Sequence, residues 1–149
     1  MSDRSKVIPS EAFRWRGIGV KEYRADDAPC RDVTRQTLLG EGDDETDLSF
    51  LTRYFEIQPN GYSTLERHRH PHAVVIIRGR GRVQLGERTY EVAPHDCVYI
   101  APGAFHQFHA AADEPLGFLC MVDRVRDRPQ LPTEEERRAL DRKRGKTSR

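Results

Sequence analysis

The amino-acid sequence predicts an all-β protein, a sandwich or barrel, that ends in a short helix. Short runs of β-branched and aromatic residues alternate with turn residues about every 8 to 12 positions, which is typical of such folds. The chain has 149 residues, which is enough for one domain with a substantial core. We expect a flexible N-terminus over residues 1–12, a barrel over residues 13–125 and a polar tail over residues 126–149.

The alternation of apolar and polar residues, together with the turn residues, locates the predicted strands along the chain. Pro59–Gly61 (PNG) predicts a tight turn, and the turn of a hairpin over residues 82–92 is expected at Gly86. The predicted strands cover residues 13–23, 33–39, 50–58, 96–100 and 116–122. A histidine strand within Gly61–Gly81 that continues into the apolar run 73–77, the hairpin over residues 82–92 and a strand that carries His106 complete the set.

The tail changes to a helical pattern at Thr133. Thr133 and Glu136 have the spacing of a capping box, and acidic residues precede basic ones in TEEERRALDR, as the helix dipole favours. The sequence therefore predicts a solvated helix over residues 133–142. The basic residues that follow are expected to be disordered.

Charge and hydropathy narrow the classes of function. The net charge is +1 and the mean hydropathy is −0.78, with 33% charged residues. This balance gives no electrostatic reason to expect nucleic acid as a partner. No apolar run approaches the ~20 residues of a membrane span, and no leader pattern opens the chain. We therefore expect a cytoplasmic protein without a membrane partner.

The three cysteines are expected to be free thiols. Cys30, Cys97 and Cys120 are odd in number and form no Cys-x-x-Cys pair, which argues against a disulfide framework or a zinc knuckle. Cys97 and Cys120 lie in apolar runs, so we expect both to be buried.

A histidine tract within Gly61–Gly81 is the strongest functional signal. Successive side chains of a strand point to opposite faces. One face of the tract would therefore carry Glu66, His68, His70 and His72. The other face would carry Arg67 and Arg69. Imidazole and carboxylate together suit a divalent transition metal, so the tract predicts an inward metal site with a solvated exterior.

Residues 73–77 (AVVII) follow the tract and are apolar at both odd and even positions. This pattern implies burial on both faces of a strand. One face can pack into the core, whereas the other needs a second sheet or a partner subunit. We therefore expect a homodimer.

Two ordered motifs resemble the signatures of the cupin superfamily. The first is the tract Gly61–Gly81, with its glycines, histidines and aliphatic strand. The second is the Pro-Gly turn over residues 101–104 (APGA), which leads to His106. The resemblance covers about residues 50–123. It implies a cupin-type jelly-roll barrel, often dimeric, with one divalent metal in its mouth.

The resemblance implies a ligand set, in two alternative registers. Counted back from Gly79, the glutamate of the family motif falls on His72, and its two histidines fall on Glu66 and His68. With the histidine of the second motif, this register gives Glu66, His68, His72 and His106 as ligands. The competing register reads residues 68–70 as His-x-His and makes His70 a ligand, but it leaves no acidic residue in the glutamate position.

We favour the first register, with His70 as a substitute or a neighbouring partner of the ligands. The second motif departs from the family pattern at three positions, His95, Ala101 and Ala110. These departures leave His106 in place. His95 and His109 are expected in loops or on the surface.

Such a site could hold iron, manganese, nickel, zinc or copper in the divalent state. Coordination positions left open for substrate are the prerequisite for catalysis. The resemblance implies a metalloenzyme acting on a small oxygenated or aromatic acid, with dioxygenase-type chemistry favoured over decarboxylase or isomerase chemistry. The alternative is a non-catalytic cupin that binds or senses a small molecule.

The strand over residues 50–58 offers polar side chains for the barrel wall. Tyr54, Glu56 and Gln58 share one parity, and Arg53 has the other. The alternation does not show which of the two sets of side chains faces the interior of the barrel. We expect Arg53 to be exposed. Glu56 could act as a general base if it faces inward.

Overall fold

One sheet of ten strands dominates the computed structural model, which describes residues 3–23, 29–126, 128–143 and 147–148. A separate hairpin joins the first two strands. In chain order the strands are β1 (Ser10–Glu11), β2 (Arg14–Trp15), β3 (Lys21–Glu22), β4 (Arg31–Leu39), β5 (Phe50–Tyr62), β6 (His72–Arg78), β7 (Gly81–Leu85), β8 (Arg88–Val92), β9 (Cys97–Ile100), β10 (His106–Ala110), β11 (Leu116–Asp123) and β12 (Thr147–Ser148), and α1 (Glu134–Lys143) lies between β11 and β12.

The large sheet curls into a jelly-roll barrel. Its strands follow the order β12-β8-β7-β10-β5-β11-β6-β9, and β4 pairs with β5 and with β3. The long β5 pairs with β11 over its first half and reaches β10 at Tyr62, which lies opposite His109. This architecture confirms the predicted all-β barrel with a short C-terminal helix.

The apolar core lies inside the barrel, because alternate side chains of each strand point toward its interior. On β6, Val74 and Ile76 are buried, whereas Ala73 is exposed and Val75 and Ile77 are half-buried. Three phenylalanine rings stack near the middle of the barrel, with centroids 5.6 Å apart for Phe55 and Phe118 and 4.3 Å apart for Phe108 and Phe118. The run 73–77 therefore buries one face in the core and leaves the other face outside.

The N-terminal segment covers the outer face of β5. The Tyr54 ring is 1% exposed and packs against Phe13 and Trp15, with ring centroids 5.8 and 5.0 Å apart. The Gln36 side-chain amide donates a hydrogen bond of 2.9 Å to the Phe13 carbonyl and holds the segment in place. Residues up to 12 include β1, and the flexibility expected of them stays a prediction.

The prediction of a tight turn at residues 59–61 is wrong, because β5 continues to Tyr62. Asn60 adopts a left-handed conformation with φ 64°, which asparagine tolerates better than most residues. The strand bends there instead of reversing, since Tyr62 still pairs with Arg31 and with His109.

The helix α1 confirms the predicted capping box. The Glu136 N–H donates to Thr133 Oγ1, and the Thr133 N–H donates to Glu136 Oε1, both at 3.1 Å. Leu140 packs with Leu65 and Phe105, so the helix lies beside the histidine tract. Within the described residues, α1 is too short and too polar to cross a bilayer.

The disorder expected after residue 142 falls mostly on positions outside the described residues. The backbone of Thr147–Ser148 pairs in parallel with β8.

Candidate metal centre

The histidine tract enters the barrel in an extended loop, not in the predicted continuous strand. His72 is the first residue of β6, and before it the backbone forms isolated bridges from Glu66 to His106 and from Arg67 to Gln130. The predicted alternation nevertheless holds in the pattern of burial. Glu66, His68, His70 and His72 are buried, while Arg69 is exposed and Arg67 is half-buried.

Backbone hydrogen bonds hold the tract against β10. Glu66 and His106 exchange two of them, at 2.9 and 3.2 Å, and the Gly103 N–H donates to the His68 carbonyl at 2.7 Å. On the outer side, Arg67 Nη1 donates to Glu136 at 3.0 Å, and its guanidinium lies over the Phe105 ring. These contacts keep the backbone of the tract extended, although it is not part of a paired strand. They also place the imidazoles of the tract next to His106.

Four imidazoles and one carboxylate meet at this point of the barrel. The ring centroids of His68 lie 4.4 Å from His70, 4.7 Å from His72 and 4.9 Å from His106. The ring nitrogens of His68, His72 and His106 come within 4.8 Å of one another, which is the spacing of ligands around one cation. The predicted site residues are therefore gathered in one place.

The protonation states of the cluster suit a divalent cation. Burial, together with smaller contributions from the neighbouring imidazoles of His106 and His68, lowers the pKa of His72 to about 2. Burial also lowers the pKa of His106. Both rings are therefore neutral at physiological pH, and a neutral imidazole is the form that binds metal. His72 Nε2 and His68 Nδ1 lie only 3.0 Å apart.

Glu66 adds an incompletely satisfied carboxylate to the cluster. Its Oε1 lies 3.2 Å from His68 Nε2 and 3.5 Å from the Tyr23 hydroxyl, whereas its buried Oε2 has no hydrogen-bond partner among the described residues. Burial raises the pKa of Glu66 to about 7, although Tyr23 and Arg53 act in the opposite direction. A bound cation would compensate this charge, so the residues present fit a divalent transition metal.

Glu66 and His70 lie beside the three converging imidazoles. The His70 ring stacks on that of His68, with an interplanar angle of 4°. The choice of Glu66 or His70 as the residue that completes the ligand set stays a prediction. His95 is exposed, and His109 packs beside Tyr62 with a centroid distance of 5.9 Å, so both lie outside the cluster.

The cluster lines a cavity of about 320 Å³. The stacked rings of Phe55, Phe108 and Phe118 form an apolar wall, and Tyr23, Ser63 and Thr64 add hydroxyl groups. The cavity is also lined by four arginines, Arg35, Arg53, Arg126 and Arg128.

The expectation of an exposed Arg53 is wrong, since this residue is 7% exposed and lines the cavity. It lies opposite Cys120 in the register of β5 and β11, so both point inward. Glu56 faces outward, where its Oε2 accepts hydrogen bonds of 2.8 Å from Arg78 and from Tyr54. Glu56 is therefore not placed to act as a general base in the cavity.

The cysteines divide between the two faces of the sheet. Cys120 is buried, with its Sγ 3.2 Å from His72 Nδ1 and 3.5 Å from Arg53 Nη2. The prediction of a buried Cys97 is wrong, because β9 pairs only with β6 among the described strands and Cys97 points to its outer side. The three described cysteines are free. Neither Tyr23 nor Cys120 lies in a site motif. The register of β5 and β11 places Cys120, and a backbone hydrogen bond from the Tyr23 N–H to the Val33 carbonyl holds Tyr23.

Comparison with known proteins agrees with this geometry. Residues 53–122 match the cupin domain family. A crystal structure of a cupin-2 domain protein from Rhodospirillum rubrum is 45% identical, with a TM-score of 0.80, and the match covers 92% of this chain and 90% of that one. The chain belongs to the cupin superfamily. A second cupin, the cupin 2 conserved barrel domain protein of Rhodopseudomonas palustris, is 43% identical with a TM-score of 0.83, over 92% and 93% of the two chains.

A curated relative of this cupin carries the name of an enzyme. The two chains are 48% identical over 142 residues, which span 91% of this chain and 88% of the relative. That protein, from Rhodospirillum rubrum, is named 1-methylthio-D-xylulose 5-phosphate methylsulfurylase.

Removal of a central imidazole should empty the metal site. His68→Ala and His106→Ala are each expected to abolish stoichiometric metal, because each deletes one of the three converging nitrogens. Elemental analysis of the purified proteins measures this loss. His109→Ala is the matched control, since His109 lies on the same strand as His106 but outside the cluster. Full metal content in either cluster variant would contradict the assignment.

Glu66 should destabilise the metal-free protein at neutral and higher pH. Its pKa is about 7 in the folded state against an ordinary value of 4.5, so stability that is present below pH 4.5 is lost as the pH rises to about 7. The shift corresponds to on the order of 3 kcal/mol in the free energy of unfolding. Metal-free Glu66→Gln should therefore melt at a higher temperature than the wild type above pH 7, and the difference should shrink toward pH 4.5.

Thermal melts of both proteins across this pH range provide the measurement. A difference in melting temperature that does not change with pH would contradict the predicted shift. The metal content of the same variant, compared with His70→Ala, decides between the two registers. A full site in Glu66→Gln with an empty site in His70→Ala would favour the competing one.

Proposed function

We propose that this cupin is a metal-dependent enzyme that acts on the methylthio group of a small ketose phosphate, of the class of 1-methylthio-D-xylulose 5-phosphate. The proposal is supported by a buried cluster of metal-ligating imidazoles that opens into a ligand-sized cavity, in a chain 48% identical to a protein named for that chemistry. Cavities of about 300 to 1,000 Å³ are typical of small-molecule sites.

His68, His72 and His106 would hold the metal, with Glu66 as the favoured fourth ligand. When bound, a divalent cation supplies Lewis acidity to a carbonyl or hydroxyl oxygen of the substrate. If Glu66 is not a ligand, its buried carboxyl group, 3.2 Å from His68 Nε2, could hold or release a proton in the cavity. The Tyr23 hydroxyl remains a donor, because burial raises its pKa to about 12.

The aromatic wall suits a methylthio substrate. Thioether sulfur packs favourably against aromatic rings, with contacts worth about 0.3–1.5 kcal/mol. Phe55, Phe108 and Phe118 present such rings to the cavity that the histidines also line. A methylthio group packed on this wall would lie in the same cavity as the metal ligands.

Dioxygenase-type chemistry, which the cupin resemblance favours, stays a prediction. We prefer sulfur chemistry because the name of the 48% identical relative refers to a methylthio substrate. The third class of function is a binding or sensing cupin, which would bind the same compound without turnover.

We also propose that the outer sheet face, formed by Ala73, Val75, Tyr99, Leu119 and Met121, packs against the same face of a second copy. The register places Ala73 opposite both Tyr99 and Met121, and Val75 opposite Leu119, so these side chains share one face. Tyr99 is 69% exposed. Contiguous apolar side chains on a sheet surface are typical of a subunit interface.

The enzymatic proposal predicts turnover of 1-methylthio-D-xylulose 5-phosphate by the metal-loaded protein. With a thiol as acceptor, C1 exchanges its bond to sulfur for a bond to hydrogen, and a mixed methyl disulfide forms. With water as acceptor, C1 gains a hydroxyl group and methanethiol leaves. Mass spectrometry distinguishes the products, and His106→Ala should produce neither. Binding without turnover in the presence of each candidate metal would contradict the proposal, as would oxygen uptake without loss of the methylthio group.

The dimer proposal predicts twice the mass of one chain in light scattering after size exclusion. Tyr99→Glu should yield a monomer that retains metal, because it places a charge in the outer sheet face. Val125→Glu is the control, since Val125 is 89% exposed but lies outside that face. A monomeric wild type would contradict the proposal.

A further inference from the structure

Three of the cavity arginines form a series from the interior to the rim. Arg53 is buried, Arg35 is half-buried and Arg126 is exposed. Arg35 lies opposite Phe55 in the register of β4 and β5, and Arg53 lies two residues before Phe55 on β5. Paired and alternate residues share a face of a sheet, so Arg35 and Arg53 point into the cavity on the same side as the aromatic wall.

Arg53 is a buried cation that acts electrostatically on Glu66 but forms no ion pair with it. Its Nη2 contacts Cys120 Sγ and its guanidinium lies 4.9 Å from the centre of the Phe55 ring. Among the described residues, its buried Nε has no hydrogen-bond partner and no carboxylate forms an ion pair with it. A guanidinium offers five N–H donors, and burial of a charge without an opposite charge is unfavourable. Arg53 therefore has unused capacity to bind an anion.

The charges of the three arginines act on one another. Burial lowers the pKa of Arg126, and the positive charges of Arg53 and Arg35 lower it further, while Glu41 offsets part of the effect. Among the described residues that line the cavity, Glu66 is the one carboxylate, and it lies with the histidines. The part of the cavity that the arginines line is therefore electropositive.

We propose that Arg35, Arg53 and Arg126 form a subsite for the phosphate of a small phosphate monoester whose other end reaches the histidine cluster. This arginine subsite deepens the proposed function, on which the identity of the whole substrate rests. Arginine is suited to the role, because its planar fork binds phosphate oxygens through two parallel hydrogen bonds. A cavity of about 320 Å³ suits a metabolite and not a polymer.

The subsite can be tested without turnover. Isothermal titration of the metal-loaded protein with inorganic phosphate, with D-xylulose 5-phosphate and with D-xylulose measures the contribution of the phosphate group. We expect the two phosphates to bind saturably and the neutral sugar to bind at least about tenfold more weakly than its phosphate, since charged hydrogen bonds are lost. Acetate should bind more weakly than phosphate, because it carries one charge instead of nearly two.

Three variants locate the contact. Arg126→Gln, Arg35→Gln and Arg53→Met should each weaken phosphate binding about tenfold or more, with unchanged metal content. Arg31→Gln is the matched control, because Arg31 lies on the same strand as Arg35, is 62% exposed and does not line the cavity. The variants at Arg35 and Arg126 carry the test if Arg53→Met does not fold. Phosphate binding that survives in the metal-free wild type separates the subsite from direct binding to the metal.

The outcomes separate the subsite from the reaction. Phosphate affinity that is unchanged in Arg126→Gln and Arg35→Gln, or that vanishes on metal removal, would overturn the subsite. Arginine-dependent phosphate binding without turnover of the methylthio compound would support the subsite and contradict the reaction. Turnover whose KM does not respond to the arginine variants would support the reaction and overturn the subsite.

Discussion

The structure is organised around a buried polar cluster, in which the fold removes several imidazoles and one carboxylate from water. His68, His72 and His106 converge in a buried site, where desolvation keeps His72 and His106 neutral and raises the pKa of Glu66 to about 7. Such a cluster is unfavourable without a cation, because Glu66 Oε2 has no partner among the described residues. The barrel can maintain it because the backbone bridge between Glu66 and His106 holds two distant segments of the chain together.

The strands arrange the interior of the barrel in layers. On β5 and β11, Arg53 lies opposite Cys120, Phe55 opposite Phe118 and Ile57 opposite Leu116, so polar, aromatic and aliphatic pairs follow one another. His106 and Phe108 on β10 continue the polar and aromatic layers. One alternation of side chains therefore forms both the core and a cavity lined by the metal-binding cluster, the aromatic wall and the arginines. A phosphorylated thioether matches these three features in one molecule.

The sequence predicted the clustering of the histidines better than the rest of the cavity, for a physical reason. Residues 66–72 alternate sharply between ligating and basic side chains, and an extended backbone turns that contrast into two faces even without strand pairing. β5 lacks this contrast, because Tyr54 is buried beneath Phe13 and Trp15 while Phe55 is buried in the core. The inward parity of Arg53 therefore depends on a contact with the N-terminal segment that local sequence does not encode. The exposure of Cys97 and the continued strand at Asn60 also could not be predicted from local sequence, because strand order and long-range pairing determine them.

The central claim is that one cation lies between residues that are distant in sequence. Anomalous scattering from crystals of the protein grown with manganese, collected on both sides of the metal absorption edge, tests it most directly. We expect one strong peak bonded to His68, His72 and His106, with Glu66 as the favoured further ligand. Crystals that show no peak among these side chains, or an ion held elsewhere in the chain, would contradict it.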